Sequence, residues 1–268
     1  APAAAPLSHG EALGAGMIAD GTDQVLKRAR EQLMLGASQI KLAAGGGVSS
    51  NYDPIDVSQY TAAEFRAAVE AAENWGTYVA VHAYTPRAIQ IALHSGVRSI
   101  EHGQLMDEAT AQLIAEKDAW FSTQAFLANE YSNPQSTPAG QAKQREVATG
   151  TDRAYNLAKK YKLRTAWGTD VLFSPDKAVY QGAMLTTLTR WYAPAEILRM
   201  ATATNAELLA MSGPRNPYPG KLGVIEAGAF ADLLLIDGDP IADIKLIADP
   251  DKNLKIIMKD GRIYKNTL

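Results

Sequence analysis

The sequence contains no cysteine in its 268 residues. Disulfide bonds, thiolate nucleophiles and cysteine-ligated zinc are therefore excluded, and a bound metal would need histidine, carboxylate or a modified lysine. The absence of cysteine leaves the cellular compartment open. There is no run of about 18 apolar residues, so no transmembrane helix and no membrane partner are expected.

The charge balance excludes a further class of partners. Lysine and arginine total 26 and aspartate and glutamate total 29, which gives a formal net charge of -3. Nucleic-acid-binding proteins usually carry a basic surface, and this balance provides none. With 47% hydrophobic and 21% charged residues, the chain has the composition of a globular protein. A small molecule is therefore the expected ligand.

A helix followed by a short apolar strand occurs five times in succession. The spacing of apolar residues predicts helices over 22–35, 61–75, 86–94, 107–117 and about 141–161. It predicts strands over 39–43, 78–82, 97–101, 120–123 and 164–168. Thr61 and Glu64 have the spacing of a capping box at the start of the second helix. Five such units indicate an α/β fold with parallel strands.

The pattern changes after a Pro- and Gly-rich break at 212–220. Short strands are predicted within 223–228, 231–237 and 254–266, with Asp260 and Gly261 as a hairpin turn. Fewer than about 60 residues of this kind make a poor independent domain. We expect this part to complete a sheet begun elsewhere.

Four polar side chains lie on or just after the ends of four different predicted strands: Lys41, His82, His102 and Asp170. In a (β/α) barrel, that end of the strands is the catalytic face. A doubly wound sheet would instead be expected to show a GxGxxG motif after its first strand, and the glycines at 45–47 do not match it. The barrel is therefore favoured.

The four side chains suggest a metal site, although each has a simpler explanation. Imidazole and carboxylate bind zinc and similar divalent ions when thiolates are absent. His82 or His102 alone would more often be an ordinary core or loop residue, and Lys41 would pair with Asp170 or reach solvent. A buried lysine loses its charge more readily, and the neutral amine can then add carbon dioxide to form a carbamate that bridges two metals.

Several motifs together resemble the amidohydrolase superfamily, and within it the prolidase-like and imidazolonepropionase-like branch. They are QIKLAAGGG with Lys41, TYVAVHAYTPRAI with His82, SIEHGQLMDEAT with His102, WGTD with Asp170, and the later segment GVIEAGAFADLLLIDGDP. The resemblance implies a (β/α)8 TIM-like barrel, a composite β-sandwich, and one or two divalent metals, with zinc expected. It implies that Lys41 is a carboxylated bridging ligand, that His82 and His102 bind the second metal, and that Asp170 is a ligand and proton shuttle.

Two neighbouring residues are candidates for substrate binding. Tyr84 lies two residues after His82 and is expected to donate to the developing oxyanion or to a substrate carboxylate, unless it is an ordinary packed tyrosine. Arg87 is a second carboxylate-binding candidate, but it falls in the first turn of a helix, where a side chain commonly faces solvent.

One part of the family pattern is absent. Family members have an HxH pair on strand one, and this sequence contains no HxH; its other histidines are His9 and His94. We therefore expect a C-terminal portion, with barrel strands four to eight in residues 1–212 and half of the β-sandwich in 213–268. An N-terminal fragment of the same protein, and further copies in a homo-oligomer, are the expected protein partners.

The motifs predict a metal-dependent hydrolase that cleaves amide bonds in small substrates with a free carboxylate, such as Xaa-Pro or other dipeptides. Activity is expected only when the HxH segment is supplied. Two alternatives remain: a hydrolase of cyclic amides or N-acyl amino acids, and a non-catalytic partial barrel that needs a separate N-terminal chain.

Overall fold

The computed structural model describes residues 9–14, 16–172 and 175–268. Its strands are β1 Ile40–Ala43, β2 Val79–Ala83, β3 Ser99–His102, β4 Trp120–Thr123, β5 Arg164–Trp167, β6 Leu233–Ile236, β7 Leu254–Lys259 and β8 Arg262–Asn266. Its α-helices are α1 His9–Ala12, α2 Thr22–Met34, α3 Ala62–Asn74, α4 Pro86–His94, α5 Glu108–Glu116, α6 Pro138–Lys160, α7 Gln181–Thr186, α8 Pro194–Arg199, α9 Asn205–Ala210 and α10 Pro250–Asn253. Short 3-10 helices span Pro175–Tyr180, Thr187–Arg190, Gly213–Arg215 and Ile244–Ala248, and a π-helical turn spans Met200–Thr204.

Strands β1 to β5 form one parallel sheet in chain order, and a helix connects each strand to the next. The register sets Lys41 beside Ala80, and Ala83 beside His102. A doubly wound sheet would reverse its strand order at a switch point, and this sheet does not. The sheet is therefore part of a TIM-like α/β barrel, which confirms the fold class predicted from the sequence.

Helix α3 shows why the sequence folds in this way. Thr61 accepts a hydrogen bond from the backbone of Glu64, and Glu64 accepts one from the backbone of Thr61, so the predicted capping box is present. Phe65, Ala68 and Ala72 are fully buried in the core that the helix shares with the sheet. Their spacing of three and four residues places them on one face of the helix.

The second sheet is antiparallel, with the strand order β6, β7, β8. Its hairpin turns at Asp260 and Gly261, which both have positive φ (49° and 74°), as a two-residue turn between antiparallel strands requires. The division of the chain at 212/213 remains a prediction. None of the helices in the described ranges is long and apolar enough to cross a membrane.

The predicted strand within 223–228 is wrong. This segment forms bends and turns, and its flanks meet in a single bridge between Lys221 and Ala229. Gly223 and Gly228 have φ of 70° and 87°. Because an extended strand needs negative φ, these two glycines interrupt it.

The carboxylate of Glu64 predicts a pH-dependent contribution to stability. It accepts hydrogen bonds from the backbones of Thr61 and Gly21 and from the Thr61 hydroxyl, each 2.8 Å long. The bond from the Thr61 backbone is the main reason that its pKa lies below the usual 4.5. We expect Glu64→Gln to lower the free energy of unfolding by about 1–2 kcal/mol at neutral pH, measured by urea denaturation.

The direction of the pH dependence follows from the lowered pKa of Glu64. The contribution is present above pH 4.5 and is lost as the pH falls through the pKa of the folded state. The difference between wild type and Glu64→Gln should therefore disappear in acid. Glu70→Gln, at an exposed position of the same helix, is the matched control. A loss that persists unchanged at low pH would contradict this account.

Candidate functional site

A cavity of ≈ 590 Å³ opens at the carboxyl edge of the parallel sheet. It is lined by five of the six residues selected from the sequence, namely Lys41, His82, Tyr84, His102 and Asp170. Parallel strands in chain order direct all of their following loops to this edge, so residues from distant parts of the sequence meet there.

The rings of His82, Tyr84 and His102 form one cluster. The centroid of His82 lies 4.5 Å from that of His102 and 4.9 Å from that of Tyr84, and Tyr84 lies 5.2 Å from His102. His102 is paired with Ala83, so regular alternation would direct His82 and His102 to opposite faces. The φ of His102 is 79°, outside the strand region, and this change in backbone direction allows the two rings to meet.

His82 has a defined hydrogen-bonding state. Its Nε2 lies 3.0 Å from the carbonyl oxygen of Gly46. A carbonyl only accepts, so Nε2 carries the proton and the lone pair is on Nδ1. Burial, and to a smaller extent the charge of Lys41, lowers the pKa of His82, so the ring is neutral at pH 7.

His102 and Asp170 are linked through the side chain of Gln124. Nδ1 of His102 lies 3.2 Å from Oε1 and 3.1 Å from Nε2 of Gln124, and that Nε2 donates to Oδ2 of Asp170 over 3.3 Å. Burial lowers the pKa of His102 to about 3, with the charges of His82 and Lys41 adding to the effect. Burial raises the pKa of Asp170, against the opposing pull of Lys41 and His82.

The structure decides between alternatives that the sequence left open for two residues. Lys41 is exposed and not buried, because β1 is an edge strand of the described sheet. Arg87 was a candidate for substrate binding, but it does not line the cavity. In the first turn of α4, Ala88 and Ile89 face the core and Arg87 is exposed. His94 is exposed on the same helix, as expected, and the side chain of His9 lies outside the described part of the chain.

The loop after β1 borders the cavity and is held from the opposite side by Lys143 on α6. Nζ of Lys143 donates to the carbonyl oxygens of Gly47, Ser50 and Asp53 at 3.2, 2.8 and 2.5 Å. Oδ1 of Asp53 lies 3.7 Å from the same ammonium group. This contact fixes the loop whose Gly46 carbonyl meets His82.

Sequence reasoning missed Gln124 and Lys143. A signal for Gln124 was present, because it is a polar residue directly after β4, and the selected residues also lie on or shortly after strands. Lys143 gave no signal in the sequence, because its partners are distant along the chain. Asp53, for example, is 90 residues away. The remaining cavity wall is partly apolar and includes Phe126, Leu127, Val171, Leu172 and Met184.

Comparison with known proteins identifies the family of the chain. Residues 3–264 match the amidohydrolase family. The chain belongs to the amidohydrolase family. The resemblance inferred from the motifs is therefore confirmed, and the structural neighbours of this amidohydrolase chain include prolidases and a Xaa-Pro dipeptidase.

Three relatives illustrate the relationship. Ochratoxinase of Aspergillus niger is 31% identical over 259 residues, which cover 92% of this chain and 50% of the relative. A prolidase crystallised with N-methylphosphonate-L-proline is 33% identical with a TM-score of 0.85, covering 100% of this chain and 65% of that one. A Xaa-Pro dipeptidase with methionine in its active site is 27% identical with a TM-score of 0.77, covering 92% and 59%. The amidohydrolase chain thus spans about half the length of the curated relatives it matches.

Amidohydrolases generally use divalent metals, and the residues at this edge are partly suited to one. Two neutral imidazoles with a free nitrogen, and a carboxylate linked to one of them, line the same cavity. The described residues nevertheless bring no three of histidine, aspartate and glutamate into one metal-binding group. The described residues therefore supply donors of the right chemical type but not a complete set.

The Lys143 contact leads to a testable expectation for the cavity loop. Hydrogen bonds from a charged donor contribute about 1.5–3 kcal/mol each. We expect Lys143→Met to increase amide hydrogen exchange over residues 45–59 at least ~10-fold, which corresponds to ~1.4 kcal/mol. Exchange measured by mass spectrometry should be unchanged in Arg145→Met, which alters an exposed residue of the same helix. Equal exchange in the two variants would show that Lys143 does not hold the loop.

Proposed function

We propose that this amidohydrolase chain forms part of a metal-dependent hydrolase, with zinc as the metal, that cleaves amide bonds in Xaa-Pro and other dipeptides with a free carboxylate. The observation that carries the proposal is the pair of neutral imidazoles beside Asp170, at the catalytic edge of a partial barrel. The similarity to a prolidase and to a Xaa-Pro dipeptidase supports the same class of substrate.

The side chains have distinct parts in holding the metal. His82 offers Nδ1, because its Nε2 is bonded to Gly46. His102 and Asp170 would be the other donors, and Lys41 would be the site of a carbamate formed with carbon dioxide. Lys41 supports this role only by lining the cavity, since the described residues do not supply the burial that favours a carbamate. A bound divalent ion supplies an acidified water and polarises the scissile carbonyl.

Asp170 is the proton shuttle of the proposal. Partial removal from water raises its pKa, so its carboxylate is a better proton acceptor than an aspartate of ordinary pKa. We expect it to take a proton from the attacking water and to transfer it to the leaving nitrogen. The hydrogen bond from Gln124 Nε2 to Oδ2 holds the carboxylate in place and leaves Oδ1 for the proton.

Tyr84 is the hydrogen-bond donor of the proposal. Its side chain is 3% exposed and packs against both histidine rings. Burial raises its pKa, so the phenol stays protonated at neutral pH and can donate to a developing oxyanion or to the substrate carboxylate.

We propose further that activity requires an HxH segment that this chain does not contain. The incomplete donor set of the described residues and the exposure of Lys41 and Ala43 on β1 support this requirement. Leu234 and Ile263 are 53% and 48% exposed on the second sheet. Such apolar exposure suits contact with an N-terminal fragment of the same protein or with further copies in a homo-oligomer.

A second candidate is the hydrolysis of N-acyl amino acids or cyclic amides. The apolar part of the cavity wall favours this candidate, because a bulky acyl or aromatic group could be buried against it. The residues of this wall are Phe126, Leu127, Val171, Leu172 and Met184. Ochratoxinase, which is similar to this chain over 92% of its length, is consistent with a substrate range wider than prolyl dipeptides.

Metal binding provides the first test. We expect the chain to bind Zn²⁺, and His82→Ala and His102→Ala to weaken binding by more than ~10-fold, since each removes a donor. Affinity would be measured by competition with a chromophoric chelator. His94→Ala, which removes an exposed histidine of α4, is the matched control and should bind as wild type does. Equal affinity in all of the variants would refute the site and favour a non-catalytic partial barrel.

Catalysis provides the second test, with the HxH segment supplied as a separate chain. We expect Asp170→Asn to lower kcat by ~10²–10⁴-fold, because the shuttle is lost. Assays on Xaa-Pro dipeptides, lactams and N-acyl amino acids would separate the two candidate substrates. Retention of wild-type kcat in Asp170→Asn would contradict the proposed shuttle.

A further inference from the structure

Gln124 lies between two of the proposed functional side chains without being one of them. It follows β4 directly, is 9% exposed, and contacts His102 at the end of β3 and Asp170 beyond β5. One amide group therefore spans three successive strand ends. A side chain that contacts two functional groups is able to set the orientation of both.

The orientation of the Gln124 amide follows from its surroundings. The hydroxyl of Thr123 uses its proton to donate to the carbonyl oxygen of His102 at 2.8 Å, so towards Gln104 it can only accept. Gln104 Nε2 is therefore a donor at 3.1 Å to Thr123 Oγ1, and it also reaches Oε1 of Gln124 at 3.2 Å. Gln104 is 1% exposed, which leaves it no alternative partner in water.

With Oε1 facing Gln104, the nitrogen of the Gln124 amide faces Asp170. A carboxylate only accepts, so the contact of 3.3 Å from Gln124 Nε2 to Oδ2 agrees with this assignment. Oε1 retains a second lone pair, and Nδ1 of His102 lies 3.2 Å from this oxygen and 3.1 Å from Nε2 of the same amide. Nε2 is already a donor to Asp170, which favours Oε1 as the partner of Nδ1. An Nδ1–H group on His102 would complete the hydrogen bonding of that oxygen.

We propose that Gln124, held by Gln104, is a positioning residue that fixes His102 as the Nδ1–H tautomer and at the same time holds the Asp170 carboxylate. The lone pair of His102 is then on Nε2. Together with the Gly46 carbonyl, which places the lone pair of His82 on Nδ1, the surroundings determine one free nitrogen on each ring. The consequence for metal binding rests on the proposed function, but the tautomer is a property of the chain itself.

Gln124→Glu and Gln124→Leu separate the two tasks of the amide. The glutamate variant still accepts from His102 Nδ1–H but can no longer donate to Asp170. The leucine variant loses both interactions. Gln144→Leu is the matched control, because Gln144 lines the same cavity but bonds to the backbone of Asn133. Circular dichroism would verify that every variant is folded.

The tautomer would be read from long-range ¹H–¹⁵N correlation spectra of the metal-free chain, with the His102 signals assigned by a His102→Asn variant. We expect Nδ1–H on His102 in wild type, in Gln144→Leu and in Gln124→Glu, and a mixture of tautomers in Gln124→Leu. Zn²⁺ affinity should fall ~10- to 100-fold in Gln124→Leu, as is typical when the partner of a metal-binding histidine is removed.

The outcomes keep the two proposals apart. A proton on Nε2 of His102 in wild type, or an unchanged tautomer in a folded Gln124→Leu chain, would overturn the positioning role. Absence of Zn²⁺ binding in wild type, with the expected tautomers in all variants, would overturn the proposed metal site and leave the role of Gln124 standing.

Discussion

The parallel pairing of β1 to β5 is the constraint on which the rest of the structure depends. Since neighbouring strands run in the same direction and follow chain order, every loop that leaves them emerges at one edge. Lys41 and Asp170 lie at the two ends of this row, with His82 and His102 between them. An antiparallel order would send alternate loops to the opposite edge and separate these side chains.

Burial then requires the polar groups at this edge to have hydrogen-bond partners. A polar group removed from water is costly unless it finds a partner, and each buried imidazole has one. The left-handed backbone of His102 is supported in the same way, since its carbonyl accepts from Thr123 and the next amide, of Gly103, donates to Ala83. The hydrogen bonds that make burial possible therefore also set the direction of the rings, so the site is ordered by the protein itself.

The sequence was informative where a feature depends on neighbouring residues, and uninformative where it depends on packing. The capping box at Thr61 and the hairpin turn at Asp260 follow from local chemistry and were predictable. The solvent exposure of Arg87 was indicated by its place in the first turn of a helix, whereas that of Lys41 depends on which elements cover β1, which no spacing reveals. The hydrogen bond that Glu64 accepts from the backbone of Gly21 joins residues 43 positions apart, so local sequence did not reveal it. Parallel order was correctly inferred because five repeated units have few arrangements.

Gly46 contributes to the site because it has no side chain. A Cβ at this position would lie 1.8 Å from the carbonyl oxygen of Pro54, so the loop can close against itself only because there is no side chain. The same closure brings the Gly46 carbonyl to His82. A residue with no functional group thereby determines which nitrogen of an imidazole is basic. In a survey of tolerated substitutions, position 46 would be as restricted as a ligand, although it offers no donor atom from a side chain.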